Sequence, residues 1–157
     1  MPHLTADSFY RVWAVVGPLV GIVLGAWLTQ RWQRKRWICD NKVAEYRGIL
    51  DALNSYRFML IEYQSLYKVA LVAVPAQKAY DDLVALAKAL GAVTNAFADR
   101  IFTRQAIEKS GVRNDWSAFA DKLRSDENDL NKLLKMIDGV HDKLVMTSQN
   151  DLNLHEI

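Results

Sequence analysis

Apolar residues are laid out in two ways along this chain. From Val12 to Leu28 they run for seventeen positions with no charged residue, Asn or Gln among them. Beyond that run they recur three and four residues apart, with polar residues between. A periodic stripe needs one buried face, whereas an uninterrupted run needs apolar surroundings on every side. At about 1.5 Å per residue the run covers roughly 26 Å as a helix, and Phe9, Tyr10 and Arg11 extend it towards the roughly 30 Å hydrocarbon core of a bilayer. The pattern predicts one membrane-spanning helix over 12–28.

Three stripes follow. Tyr46, Ile49, Leu50, Leu53, Tyr56, Leu60, Tyr63, Tyr67, Ala70 and Leu71 predict a long helix that continues from the span and stops at Val74, before Pro75. Whether it bends near Arg34 to Asp40 is left open. A second helix is expected from Ala76 to Lys109, with its seam at Tyr80, Leu83, Ala87, Leu90, Thr94, Phe97 and Ile101, and Ser110 and Gly111 as its stop. Asn114 is the expected N-cap of a third helix running to Met146, with a seam of Trp116, Phe119, Leu123, Leu130, Leu133, Ile137, Val140 and Leu144. No stretch has the alternation and turn chemistry of a hairpin. The expected fold is all-α: a single N-terminal transmembrane helix continuing into a cytoplasmic antiparallel three-helix bundle or long helical hairpin. The organisation that follows is a tail at 1–11, the span at 12–28, a basic, Trp-containing juxtamembrane segment at 29–40, the bundle at 41–146 and a polar tail at 147–157.

Charge adds an orientation. The formal net charge is only +2, but Arg31 to Arg47 holds six basic and two acidic residues while Gly48 to Ile157 holds thirteen and fifteen. Arg31, Arg34, Lys35 and Arg36 follow the span directly, against Arg11 alone before it. That asymmetry predicts the N-terminus outside and the body in the cytoplasm, at the cytoplasmic (inner) membrane. A cleaved signal peptide would carry its basic residues ahead of the apolar run, so an uncleaved anchor is expected. Trp13 on one side and Trp27 and Trp32 on the other bracket the run as interfacial aromatics. Basic residues placed there fit anionic headgroups, and nucleic acid is not an expected partner.

Gly17, Gly21 and Gly25 form G-x-x-x-G-x-x-x-G, which makes a smooth groove where a second helix can approach closely. The alternative is the ordinary abundance of glycine in membrane helices, with Pro18 marking a kink.

Chemistry is sparse. His3, His141 and His155 have no Cys or His partner at metal-ligand spacing. Asp138, His141 and Asp142 fall on neighbouring faces of the third predicted helix, as polar residues on any solvated helix do. Asp81 with Asp82, and Asp126, Glu127 and Asp129, read as helix-surface charges. The single cysteine, Cys39, reads as an unmodified thiol, with a low-pKa thiol or a lipidated cysteine as the alternatives. No G-x-x-x-x-G-K-[ST], G-x-S-x-G or H-E-x-x-H occurs. The expectation is therefore a non-enzyme with no catalytic, cofactor-binding or metal-ligating residues. It would be a scaffold or accessory subunit that self-associates as a homo-oligomer or joins a membrane-protein partner. The alternative is a membrane-perturbing or pore-forming effector. The layout is similar to that of many small bacterial membrane proteins, some proposed as effectors of phage defence, a likeness of architecture that transfers no residue.

Overall fold

A computed structural model describes residues 6–66, 76–124 and 129–152. All regular structure among them is helical: α1 (Ala6–Gln64), α2 (Ala76–Ala98), α3 (Arg104–Ser110), α4 (Val112–Arg124) and α5 (Leu130–Asp151). The chain divides into two compact units, Met1–Asp40 and Asn41–Ile157.

In the first unit α1 is one α-helix, with Pro18 inside it. It is the one helix among the described residues long and apolar enough to cross a membrane. Along its apolar run the side chains are exposed among the described residues: Ile22 and Val23 are 68% and 66% exposed.

The second unit is built around one core. Tyr46, Ile49, Leu53, Tyr56 and Leu60 alternate by three and four residues along α1 and are all buried, so one face of that helix is continuous with the interior. Leu86, Val93 and Phe97 come from α2, Ile107 from α3, Val112, Trp116 and Phe119 from α4, and Leu133, Ile137, Val140 and Leu144 from α5. Each such side chain contributes about 1.5–3 kcal/mol when fully buried. At the centre, Tyr56 meets Trp116 and Phe119 edge-on at ring separations of 5.8 and 5.9 Å, a favoured arrangement of aromatic quadrupoles. The Trp116 indole donates to Thr94 Oγ1 over 3.1 Å.

Four sequence expectations need correction. The second predicted helix ends at Ala98, and residues 99–103 are not helical. Glu45 accounts for the break. Its carboxylate accepts from the backbone N–H groups of Ile101, Phe102 and Thr103 and from the Thr103 hydroxyl at 2.8–3.3 Å, giving those donors a partner outside any helix. The buried face of α2 is also turned from the expected seam: Tyr80, Leu83, Ala87, Thr94 and Ile101 are exposed, while Leu86 and Val93 are buried. Leu90 and Phe97 belong to both stripes, and Leu86 and Val93 carry more apolar surface than Ala87 and Thr94.

The third predicted helix is two helices. Asn114 lies within α4, its N–H bonded to Gly111 O at 3.1 Å, and α5 starts anew with Asp129 as N-cap, whose carboxylate accepts from the Asn131 and Lys132 N–H groups. Asp129 is thus a cap, not a plain surface charge. Finally, α5 continues past Met146 to Asp151 with Thr147 buried, because Lys42 Nζ and the Tyr46 hydroxyl reach Asp151 at 2.7 and 3.1 Å. The expected stop of the first helix at Val74 and Pro75, and Asp126, Glu127, His3 and His155, lie outside the described residues. The expected stop at Ser110 and Gly111 is present: α3 ends at Ser110, and Gly111 caps it with φ +73°, a left-handed conformation natural to glycine.

Candidate functional site

The apolar part of α1 and its flank form the candidate site. Gly17, Gly21 and Gly25 lie on this helix, and four-residue spacing sets them on one side of it. A Cβ built at Gly21 or Gly25 meets nothing within 4 Å, and one at Gly17 meets only Trp13 Nε1, at 4.0 Å. Among the described residues the glycine face is therefore open. Thr29 is satisfied within the helix, its hydroxyl donating to Gly25 O over 2.8 Å.

Cations and indoles interleave beyond the apolar run. The Arg31 guanidinium stands 5.4 Å from the Trp27 ring and that of Arg36 5.6 Å from the Trp32 ring, pairings an aromatic face favours electrostatically. Arg36 Nε also lies 4.0 Å from Asp40 Oδ2, both side chains well exposed, so this pair is a weak tie. Trp27, Gln30, Arg31 and Arg34 line a shallow notch on the helix surface. Trp13, Trp27 and Trp32 are 53–62% exposed, and Arg34 and Lys35 are exposed as well. The structure thus brings Trp27, Arg31, Trp32 and Arg36 into two cation–indole pairs.

No family model, no curated protein and no solved structure matches the chain. Function must be argued from the chain itself.

The second unit supplies little reactive chemistry. His141 Nδ1 is 3.4 Å from the neighbouring Asp142 carboxylate, and Asp138 pairs instead with Arg57 at 2.9 Å, so the three acid/base candidates do not converge. Among the described residues no three of His, Cys, Asp and Glu gather around a metal-sized space. Cys39 is exposed. Two features escaped the sequence. Glu45 is one: partial burial opposes its charge, yet the hydrogen bonds from Ile101, Thr103 and Phe102 outweigh that and hold its pKa below the ordinary value. The other is a set of separate buried polar atoms, the Tyr56 hydroxyl and Gln64 Oε1 among them, without a hydrogen-bond partner among the described residues. No spacing rule signals either, since both depend on which helices meet.

Proposed function

We propose that this chain is a single-pass, membrane-anchored helical interaction protein. Residues 12–28 cross the bilayer with the N-terminus outside. The body from residue 41 forms a helical bundle at the cytoplasmic face of the inner membrane. Arg31, Arg34, Lys35 and Arg36 rest among anionic headgroups with the indoles at the interface. Gly17, Gly21 and Gly25 pack against a second span, from another copy or from a membrane-protein partner, and the body supplies specificity. One observation carries this reading: a helix apolar on all sides whose side chains the protein leaves uncovered, between aromatic residues and a basic cluster. In water such a surface is costly; in lipid it is at home.

Replacing Gly21 with Ile tests the assembly. The substitution keeps the span apolar and has free space within the chain, but puts a branched side chain where two backbones would meet. The control is Val20→Ile, about 100° around the helix. Crosslinking in native membranes should give full oligomer yield for Val20→Ile and a sharply reduced yield for Gly21→Ile, with both still inserted. Equal yields would remove the glycine face from the interface. A reporter fused after Ile157 should read as cytoplasmic, and a periplasmic signal would overturn the orientation.

A further inference from the structure

No Asp or Glu occurs between Val12 and Cys39. The first carboxylate after the apolar run is Asp40, and it lies 4.0 Å from Arg36. Arg31 and Arg34 have no such neighbour: four residues away on either side they meet Trp27, Lys35, Gln30 and Ile38. With Trp27 and Gln30 they line the shallow notch on α1, and both are exposed, so a group entering the notch reaches them from solvent or lipid. At about 100° per residue the four residues share an arc of about 100°, and positions three and four apart are neighbours on a helix surface. Two positive charges thus stand on one side of the helix beside an indole and an amide. The Arg31 guanidinium is 5.4 Å from the Trp27 ring, a pairing that draws on its charge and does not consume its N–H groups. The other cation–indole pair differs. Arg36 has Asp40 as a competing anion, and Trp32 falls within about 20° of Gly21 around the helix, whereas Trp27 is about 120° from it. A second span packed on the glycines would crowd Trp32 and leave the Trp27 notch facing lipid.

We propose that this notch is a discrete site for one anionic phospholipid with a hydroxyl-bearing headgroup, of the phosphatidylglycerol type. The site rests on the membrane anchor proposed above and adds a particular lipid to it. The phosphate oxygens accept from Arg31 and Arg34, whose planar guanidinium groups suit them. Gln30 meets the headgroup hydroxyls through its amide, and Trp27 lies against the ester region, the depth that indoles favour. A choline or ethanolamine headgroup would instead bring a cation towards two arginines. Diffuse attraction to an anionic leaflet depends on how many cations lie near it, whereas a site depends on which ones they are.

The test places the full chain in nanodiscs of equimolar phosphatidylglycerol and phosphatidylcholine with matched acyl chains, and counts the lipids that the released protein retains by native mass spectrometry. Both leaflets are alike there, so the orientation of the chain has no bearing. Wild type is expected to keep one phosphatidylglycerol per chain in preference to phosphatidylcholine. Arg31→Gln combined with Arg34→Gln should lower that retention about tenfold, in line with the loss of two cations at a lipid surface. Lys35→Gln combined with Arg36→Gln removes the same charge and should lower it far less. Gly21→Ile, which acts on assembly, should not lower it, and excess inorganic phosphate should not displace the lipid. Equal losses in the two double variants would mean diffuse charge and no site. Equal retention of both lipids by wild type, loss of retention in Gly21→Ile, or displacement by inorganic phosphate would each overturn the proposal as well. A chain that fails to enter the nanodiscs would overturn the anchor and the site together, whereas one that enters and shows no lipid preference overturns the site alone.

Discussion

Residues 12–28 and the stripe from Tyr46 to Leu60 are both helical and both rich in apolar side chains, yet they stand in opposite relations to their surroundings. Ile22 is 68% exposed, while Ile49 and Leu53 are fully buried. The difference lies in what separates the apolar residues. In the stripe, Arg47, Asp51, Asn54, Ser55 and Arg57 divide them, so the helix has one face for water and one for a core that α2 to α5 supply. In the run nothing divides them, and among the described residues its side chains stay exposed. A helix apolar on all sides that the protein does not cover needs a second phase or a second molecule.

The hardest blow to this comparison is one substitution made in both regions. Ile137→Asp buries a carboxylate at a position with no exposure, at an expected cost of about 4 kcal/mol or more. The second unit should lose its cooperative helical melting in the full chain. Ile22→Asp should leave that melting unchanged and instead reduce the fraction resisting alkaline extraction from membranes, since an Asp at mid-bilayer costs about 2.5–3.5 kcal/mol. If Ile22→Asp lowers the melting temperature as much as Ile137→Asp, the uncovered surface is in truth part of the core and the contrast fails.

Glu45→Ala tests the polar side of the same contrast. It strips four donors of their shared acceptor, and about 2–3 kcal/mol of stability should go with them. The sign of the pH dependence follows from the direction of the shift. A carboxyl held below its ordinary 4.5 in the folded chain stabilises fully above that value and progressively less as the pH falls through the folded-state pKa. Acid melting curves of the wild type should therefore lose stability below the ordinary carboxylate range more steeply than those of Glu45→Gln. Parallel curves would show that the Glu45 carboxylate does not brace residues 101–103.

How far the sequence could be read depended on how local each cause is. All-helical structure and one apolar helix near the N-terminus were legible, because periodicity and run length are properties of neighbouring residues. The stripe Tyr46, Ile49, Leu53, Tyr56 and Leu60 was legible for the same reason. The break after Ala98 was not, since the acceptor that permits it, Glu45, sits more than fifty residues earlier. On α2 two stripes shared Leu90 and Phe97, and an Ile101 assumed to be helical favoured the wrong one. For the glycine face, spacing was legible but its occupant was not, because that surface ends in open space.

Gly111→Ala probes a smaller term in the second unit. At φ +73° an L side chain is strained by about 1 kcal/mol, and its Cβ would stand 3.5 Å from Lys143 Nζ, an ordinary contact. The melting temperature should drop by a few degrees. No change would mean that the turn between α3 and α4 relaxes freely.

The smallest effect compares one ion pair from each region. Lys42 and Asp151 are 2.7 Å apart with side chains only 23% and 18% exposed, and Tyr46 adds a hydrogen bond to the same carboxylate. Burial, together with the Asp151 charge beside it, raises the Tyr46 pKa, so this phenol stays a donor throughout the accessible range. Arg36 and Asp40 are 4.0 Å apart and 68% and 71% exposed. Solvent screening should leave the second pair worth next to nothing, while the first retains about 1 kcal/mol because less water competes for it. Lys42→Met should therefore lower the stability of the second unit by about that amount and keep most of the effect in high salt, whereas Arg36→Met should change nothing measurable. If the two substitutions prove equal, or if salt erases the Lys42 effect, then Asp151 is not held by a sheltered pair, and the extension of α5 past Met146 rests on the burial of Thr147 alone.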